Sequence, residues 1–206
     1  MPANSITYSL AVSKGVKVNN VYLDTSFIYD VLISISNPHF PKPHIKPTKN
    51  FYDYLSRNNI DMWTSYLAVQ ELMFKQFNVE LLKEIRNFEK SNGLPSNSLN
   101  YNLFKRNHKR DFQNIYKKHK QIFDITLKAI VGLKIKIKIP KDYAIVHSSS
   151  KGERIARYAK CLLDKYILEV ADAFHISTAR CAGTKNIATN DLGFKQVDNI
   201  TVFSFA

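Results

Sequence analysis

The sequence predicts an α/β fold whose central sheet is mainly parallel. Three observations favour it: short apolar runs that suit buried strands, helical stretches that alternate with those runs, and turn signals between the two. Parallel neighbouring strands need crossover segments, and the helical stretches supply them. We expect all residues, 1–206, to form a single domain with a sizeable core.

Two strands are predicted in the first third of the chain, over residues 21–23 and 61–65. The first ends at Asp24, and apolar residues at helical spacing follow it. Between the two strands lie a proline-rich loop and a short helix, over residues 36–50 and 51–57. The weakly patterned N-terminal residues are either a tail or an extra edge strand; they span 1–18.

The middle of the chain predicts a basic, mostly helical insertion over about residues 78–133. An amphipathic helix carrying Glu71 leads into it, and a long basic helical region follows over about 101–131. Residues 133–139 alternate strictly between apolar residues and lysine, which predicts a strand that ends at Pro140.

The last quarter predicts two helices followed by two strands. The helices cover about 153–163 and 171–182, and Gly183 is a suitable C-cap for the second. The strands cover about 186–189 and 200–203. A loop over 148–152 precedes the helices, because serine and glycine are concentrated there.

The positive charge is concentrated in one segment. Residues 75–141 hold 16 Lys or Arg against 5 Asp or Glu, in a chain whose net charge is +13. Such a block attracts a polyanion by its field and by counterion release, so nucleic acid is the first candidate partner and an anionic membrane surface the second. A solvated helical face in a lysine-rich protein is the simpler alternative. The candidate RNA contacts are Lys105, Arg106, Lys109 and Arg110.

Cysteine usage and hydropathy predict a cytoplasmic protein. Cys161 and Cys181 are too few for a disulfide framework, which fits a reducing compartment. We expect neither a signal peptide nor a membrane-spanning helix, because no apolar run is long enough.

Four acids are candidates for a metal site. Asp24 and Asp191 follow predicted strands, where the functional crevice of an open α/β sheet lies, and Glu71 and Asp172 are on predicted helices. Crowded carboxylates are costly unless a cation lies among them, and hard oxygen ligands favour Mg²⁺ or Mn²⁺. Taken singly, three of these acids also have a simpler role: Asp24 and Asp191 as helix N-caps, and Glu71 on a solvated helix face.

Four segments carry a resemblance to a known family. VYLDTSFIYDVL, LAVQELMF, ADAFHISTA and IATNDLGF, in this order, resemble the motifs of PIN-domain nucleases, and particularly of the VapC-type toxins of toxin–antitoxin pairs. The resemblance implies a PIN-like α/β/α sandwich and Mg²⁺- or Mn²⁺-dependent hydrolysis of RNA phosphodiesters. It makes metal ligands of Asp24, Glu71, Asp172 and Asp191. It also implies an antitoxin partner and a homodimer.

The same resemblance gives supporting roles to polar neighbours of these acids. Thr25 or Ser26 matches the hydroxyl position beside the first acid, and Thr189 and Asn190 lie next to the last. His175 is interpreted as a structural histidine.

Two other functions remain open: a catalytically silent PIN-like module that binds RNA or protein, and a structure-specific DNA nuclease. The sequence lacks a glycine-rich phosphate loop and the second aspartate of dehalogenase-type phosphatases.

Overall fold

The computed structural model describes residues 4–6, 18–37, 40–119, 121–138 and 151–205. It divides into two compact units. The first comprises Met1–Val69 and Ile130–Ala206, and the second comprises Gln70–Ala129.

The first unit is built on a six-stranded sheet in which every strand pairing is parallel. The strands are β1 (Asn4–Ile6), β2 (Asn20–Leu23), β3 (Asp61–Ser65), β4 (Lys136–Lys138), β5 (Asn186–Ala188) and β6 (Thr201–Phe203). Their order across the sheet is β1-β6-β5-β2-β3-β4, which places β2 beside β5 at the centre. The predicted α/β class with a mainly parallel sheet is confirmed.

Helices connect the strands in chain order. They are α1 (Thr25–Ser36), α2 (Ile45–Arg57), α3 (Tyr66–Ser91), α4 (Tyr101–Asn107), α5 (Lys109–His119), α6 (Ile122–Gly132), α7 (Lys151–Lys165) and α8 (Val170–Cys181), with a 3₁₀ helix over Leu192–Gln196. None of the helices in the described part of the chain is both long and apolar enough to span a bilayer.

Alternate side chains along the strands point to opposite faces of the sheet, and each face is covered by helices. On one face, a buried cluster joins strand residues to α7 and α8; its strand members are Tyr22, Trp63, Ile187 and Val202. On the other, the ring of Phe203 stacks on Phe51 of α2 with centroids 4.9 Å apart, and Phe51 meets Phe27 of α1. The first unit is therefore an α/β/α sandwich, as the PIN-like resemblance implies.

Two predicted boundaries are wrong. The proline-rich loop over 36–50 is too long, because α2 begins at Ile45 and includes Pro47 in its first turn. Proline is tolerated there, since the first N–H groups of a helix have no intrahelical acceptor. The strand over 133–139 is too long at its start, because α6 runs to Gly132 and Lys134 has a positive φ of 56° that interrupts the extended backbone.

Two other predictions are confirmed by the structure. Gly183 follows α8 with a φ of 81°, the left-handed conformation expected of a C-cap glycine. An edge strand occurs within 1–18, because β1 pairs with β6. The predicted stop at Pro140 and residues 148–150 of the predicted loop lie outside the described residues. The loop prediction is wrong for residues 151 and 152, because α7 begins at Lys151.

The second unit has its own apolar core. Its buried members are Phe77, Leu81, Ile85, Leu99 and Phe104. The helical region predicted over 101–131 consists of three helices, since α4 ends at Asn107 and α5 at His119. A single domain with an insertion over 78–133 stays a prediction.

One buried carboxylate holds the loop between α3 and α4. Glu89 is 1% exposed, and its oxygens accept hydrogen bonds from Arg86, from the backbone N–H groups of Asn97 and Leu99, and from the Ser98 hydroxyl. The Arg86 hydrogen bond is the main reason that the pKa of Glu89 is lowered to about 2. This acid is thus committed to structure in the second unit.

Candidate active site

Asp24 lies at the carboxyl end of β2, directly before α1, and is 5% exposed. Its backbone N–H donates to the Ala188 carbonyl at 3.0 Å, which carries the pairing of β2 with β5 up to the acid itself. Its side chain caps α1, because Oδ2 accepts a hydrogen bond from the Ser26 N–H at 3.3 Å. The capping role considered for Asp24 is therefore present, whatever further role the acid has.

Two hydroxyl groups fix the same oxygen of Asp24. Ser26 Oγ donates to Oδ2 at 2.8 Å, and Thr189 Oγ1 donates to it at 2.9 Å. Thr189 Oγ1 also accepts the N–H of Asp191 at 3.0 Å, so one hydroxyl connects the first acid to the backbone of the last. Of the two hydroxyl residues predicted beside Asp24, Ser26 makes this contact, whereas Thr25 donates to the Ala68 carbonyl at 3.5 Å.

Asp191 and Asp172 approach each other across Gly193. Asp191 caps the 3₁₀ helix, with its Oδ1 accepting the Gly193 N–H at 2.8 Å. A Cβ placed on Gly193 would lie 3.1 Å from Asp191 Oδ1 and 3.4 Å from Asp172 Oδ2. Asp191 is exposed, Asp172 half-buried and Asp24 buried, so the three acids run from the protein surface into its interior.

The charges of these acids act on one another. The pKa of Asp172 is raised to about 7, first by burial and then by the negative charges of Asp191 and Asp24. His175 has a smaller opposite effect on the pKa of Asp172. The structure thus brings together three of the four predicted acids, closely enough for their charges to interact.

Glu71 belongs to the second unit, where it is half-buried on α3. Its assignment as a fourth metal ligand stays a prediction, as do those of the other three acids. Within the described ranges, no group of three or more His, Cys, Asp or Glu side chains has the arrangement of a ready-made metal site. The donor set nevertheless suits a hard divalent cation, because it consists of carboxylates and because a cation among them would offset the repulsion that raises the pKa of Asp172.

Asn190 supports the site by fixing the backbone beside Asp191 rather than by a side-chain hydrogen bond to one of the three site acids. Its N–H donates to Ser26 Oγ at 2.9 Å, while its side-chain amide donates to Asp30 Oδ2 at 2.6 Å and to Thr48 Oγ1 at 3.1 Å. Its Oδ1 accepts the N–H of Phe205. Asn190 therefore ties the segment between Thr189 and Asp191 to α1 and α2.

Sequence reasoning missed two residues of this site, Tyr22 and His175. His175 Nε2 lies 3.6 Å from Asp24 Oδ1, and the Tyr22 hydroxyl lies 2.5 Å from His175 Nδ1. Both side chains are buried, and the sequence pattern predicts only a structural role for His175. Their positions in the sequence could have indicated this. Tyr22 lies two residues before Asp24, at the spacing that shares a face of a strand, and His175 lies one helical turn after Asp172.

The candidate RNA contacts Lys105, Arg106, Lys109 and Arg110 are all exposed in the second unit. Lys105 Nζ lies over the rings of Tyr101 and Phe112, at 5.8 and 5.6 Å from their centroids. This part of the surface combines exposed positive charge with aromatic rings, the combination that binds single-stranded nucleic acid.

Comparison with known proteins adds little to this geometry. No family model matches the chain, and none of the curated proteins matches its sequence. Among solved structures, the crystal structure of FitAcB from Neisseria gonorrhoeae is similar, with 22% identity over 89% of this chain and 96% of that one and a TM-score of 0.37. We therefore base the proposals below on the side chains of this chain.

The pKa of Asp172 predicts how stability depends on pH. A carboxyl whose pKa is raised on folding favours the folded state when protonated, so this contribution is complete below pH 3.8, the ordinary Asp value, and is lost as the pH rises through about 7. Asp172→Asn removes the titration. In metal-free protein, we expect Asp172→Asn to melt at a higher temperature than the wild type at pH 8, with the difference disappearing near pH 4. Differential scanning calorimetry in a chelating buffer measures this, with Asp164→Asn as the exposed control on α7. A constant difference at all pH values would contradict the assigned charge interaction.

Proposed function

We propose that this chain is a metal-dependent endoribonuclease of the PIN-domain type. One observation carries the proposal: the parallel sheet brings Asp24 and Asp191 to one edge, α8 adds Asp172, and burial and the charges of the other two acids raise the pKa of Asp172 to about 7. A carboxyl group with a raised pKa, next to acids that follow the strands of an open α/β sheet, is a feature expected of an active site. The four-motif resemblance gives the reaction class, and Glu71 is the proposed fourth ligand.

In this proposal, Asp24, Asp172, Asp191 and Glu71 hold Mg²⁺ or Mn²⁺. A divalent cation there would supply Lewis-acid chemistry, activating water for attack on phosphorus and offsetting the negative charge that builds up on the phosphoryl oxygens. Asp24 would be the rigid ligand, because Ser26 and Thr189 fix its orientation. Asp172 must lose its proton to bind the cation, so cation binding should strengthen as the pH rises through about 7.

RNA is the proposed substrate, and the exposed cations of α4 and α5 are its proposed backbone contacts. Lysine and arginine position a nucleic acid through its phosphates without reading sequence. Tyr101 and Phe112, which already contact Lys105, provide rings on which unpaired bases can stack.

The resemblance also supports a proposal about the cellular role of this chain. We propose a VapC-like toxin that acts in the cytoplasm as a homodimer and is inhibited by an antitoxin protein. A small neighbouring gene whose product binds this chain and blocks cleavage supports that role. Cleavage without such a partner leaves the nuclease proposal intact and removes the toxin role.

The acids are tested by substitutions that preserve capping. Asn is nearly isosteric with Asp and its oxygen still caps a helix, but it lacks the charge that holds a divalent cation. We expect Asp24→Asn and Asp191→Asn each to reduce RNA cleavage by about 100-fold or more, beyond the loss typical of outer partners of a metal site. Wild-type cleavage should need Mg²⁺ or Mn²⁺ and stop with a chelator.

The matched control is Asp164→Asn, which changes an exposed acid paired with Lys160. Circular dichroism confirms the fold of each variant. Near-wild-type turnover of both site variants at equal Mn²⁺ would refute the site, and cleavage of matching DNA but not RNA would favour the DNA nuclease instead.

The basic side chains are tested by their effect on salt dependence. Each phosphate contact with a single strand contributes about 0.7 to the slope of log affinity against log salt. We expect neutralising Lys105, Arg106, Lys109 and Arg110 together with Gln to weaken RNA binding and to reduce that slope by up to about 3.

The control for this variant removes the same charge from exposed positions of the first unit: Lys42, Lys46, Arg57 and Lys185. Fluorescence anisotropy over a range of salt concentrations measures both. An unchanged slope in the first variant, or an equal loss in the second, would mean that these four residues are not the RNA contacts.

A further inference from the structure

A continuous chain of polar contacts leads from the first turn of α3 to Asp24. The Ala68 N–H donates to Ser65 Oγ at 3.1 Å, Ser65 Oγ lies 2.9 Å from the Tyr22 hydroxyl, and that hydroxyl lies 2.5 Å from His175 Nδ1. The other ring nitrogen of His175, Nε2, faces Asp24 Oδ1 at 3.6 Å. All of these residues belong to the first unit.

Tyr22 and His175 are buried, so their polar atoms need partners within the protein. Tyr22 is fully buried and His175 is 1% exposed. The Tyr22 ring packs edge-on against Trp63 with centroids 4.9 Å apart, a contact that phenylalanine would make equally well. A buried hydroxyl without a partner is unfavourable, and the Tyr22 hydroxyl has two partners here, Ser65 Oγ and His175 Nδ1.

When His175 is neutral, the direction of the hydrogen bonds follows from the two ends of the chain of contacts. A backbone N–H can only donate, so Ser65 Oγ accepts from Ala68 and has its own proton available for the Tyr22 oxygen. Tyr22 then donates to His175 Nδ1, and a neutral imidazole that accepts at Nδ1 carries its proton on Nε2. The reverse direction would place the lone pair of Nε2 against the negative carboxylate of Asp24, which is electrostatically unfavourable.

The two oxygens of Asp24 therefore have different surroundings. Oδ2 accepts hydrogen bonds from Ser26 N, Ser26 Oγ and Thr189 Oγ1. Oδ1 faces the Nε2–H of His175 from a distance longer than a direct hydrogen bond. Oδ1 can therefore still coordinate a cation. Electrostatic attraction to His175 restricts the orientation of the Asp24 carboxylate.

We propose that His175 is a positioning residue of the carboxylate site: Tyr22 holds it in the Nε2–H tautomer, and that N–H orients Oδ1 of Asp24 for metal binding. This inference rests on the proposed function. It assigns a role within the site to two residues that are not metal ligands. Partners of this kind set the orientation and basicity of a ligand, and their loss typically costs about 10–100-fold in metal affinity or activity.

The tautomer is tested first, because it needs neither metal nor RNA. Nitrogen-15 chemical shifts of His175 in the metal-free full-length protein at pH 8 distinguish a protonated Nε2 from a protonated Nδ1. We expect Nε2–H in the wild type and a mixture of tautomers in Tyr22→Phe. A wild-type Nδ1–H tautomer would overturn the inference.

The positioning role is tested by two conservative variants of His175. The amide nitrogen of Gln takes the place of Nε2 and remains a donor to Asp24, whereas the shorter Asn takes the place of Nδ1 only. We expect His175→Asn and Tyr22→Phe to weaken Mn²⁺ affinity by about 10-fold or more, and His175→Gln to stay within about threefold of wild type. Electron paramagnetic resonance of free Mn²⁺ measures affinity without RNA.

Tyr52→Phe is the control for losing a buried tyrosine hydroxyl, since Tyr52 donates to the Leu133 carbonyl at 3.0 Å. It should leave Mn²⁺ affinity unchanged. Equal affinities in His175→Asn and His175→Gln, or in Tyr22→Phe and Tyr52→Phe, would show that the chain of contacts is structural only.

The two proposals fail in distinguishable ways. If the wild type binds Mn²⁺ and the variants weaken it as expected but no RNA is cleaved, the proposed function fails and the positioning role stands. If the wild type cleaves RNA and the variants bind Mn²⁺ normally, the positioning role fails and the proposed function stands. A wild type that binds no Mn²⁺ would overturn both.

Discussion

The site depends on a parallel pairing of two short strands. Because β2 and β5 lie side by side and run in the same direction, the residues that follow them arrive at the same edge of the sheet. Asp24 follows one strand and Asp191 comes three residues after the other, so the topology itself concentrates negative charge there. Asp172 adds a third carboxylate from α8, and the field of the other two is part of the reason that its pKa is raised. Any function of this edge must use or offset that charge.

The polar contacts around Asp24 explain how such an arrangement is tolerated. Ser26 and Thr189 donate to one of its oxygens, and the helix it caps adds a backbone N–H, so much of the lost hydration of this buried carboxylate is replaced. Thr189 also accepts from the backbone of Asp191, and Asn190 ties the intervening residue to α1 and α2. Capping and ligand orientation are compatible roles here, because the cap uses Oδ2 and leaves Oδ1 facing His175.

Much of the fold and part of the site could be predicted from the sequence, for physical reasons that differ by residue. The strands before Asp24 and Asp191 are apolar runs with clear ends, and periodicity is reliable for such runs. The predicted boundaries near Pro47 and Lys134 were wrong. Periodicity shows neither that a proline lies in the first turn of a helix nor that a residue has a positive φ. Tyr22 and His175 look like core residues, since the pattern of a buried strand or helix does not say what a polar tip contacts. Asp24, Asp172 and Asp191 were grouped by their predicted positions and by the four-motif resemblance, because the pattern of apolar residues does not give the strand order that puts β2 beside β5.

The most direct test of this account is a measurement of the Asp172 pKa itself. Carbon-13 NMR titration of the Asp172 side-chain carboxyl in the metal-free protein, repeated with saturating Mg²⁺, reports both the crowding and its relief. The account predicts a pKa of about 7 without metal, raised by burial and by Asp191 and Asp24, and a fall towards or below the ordinary value of 3.8 when Mg²⁺ is present. A pKa near 3.8 without metal and no change with Mg²⁺ would contradict both the crowding of the three carboxylates and their assignment as a metal site.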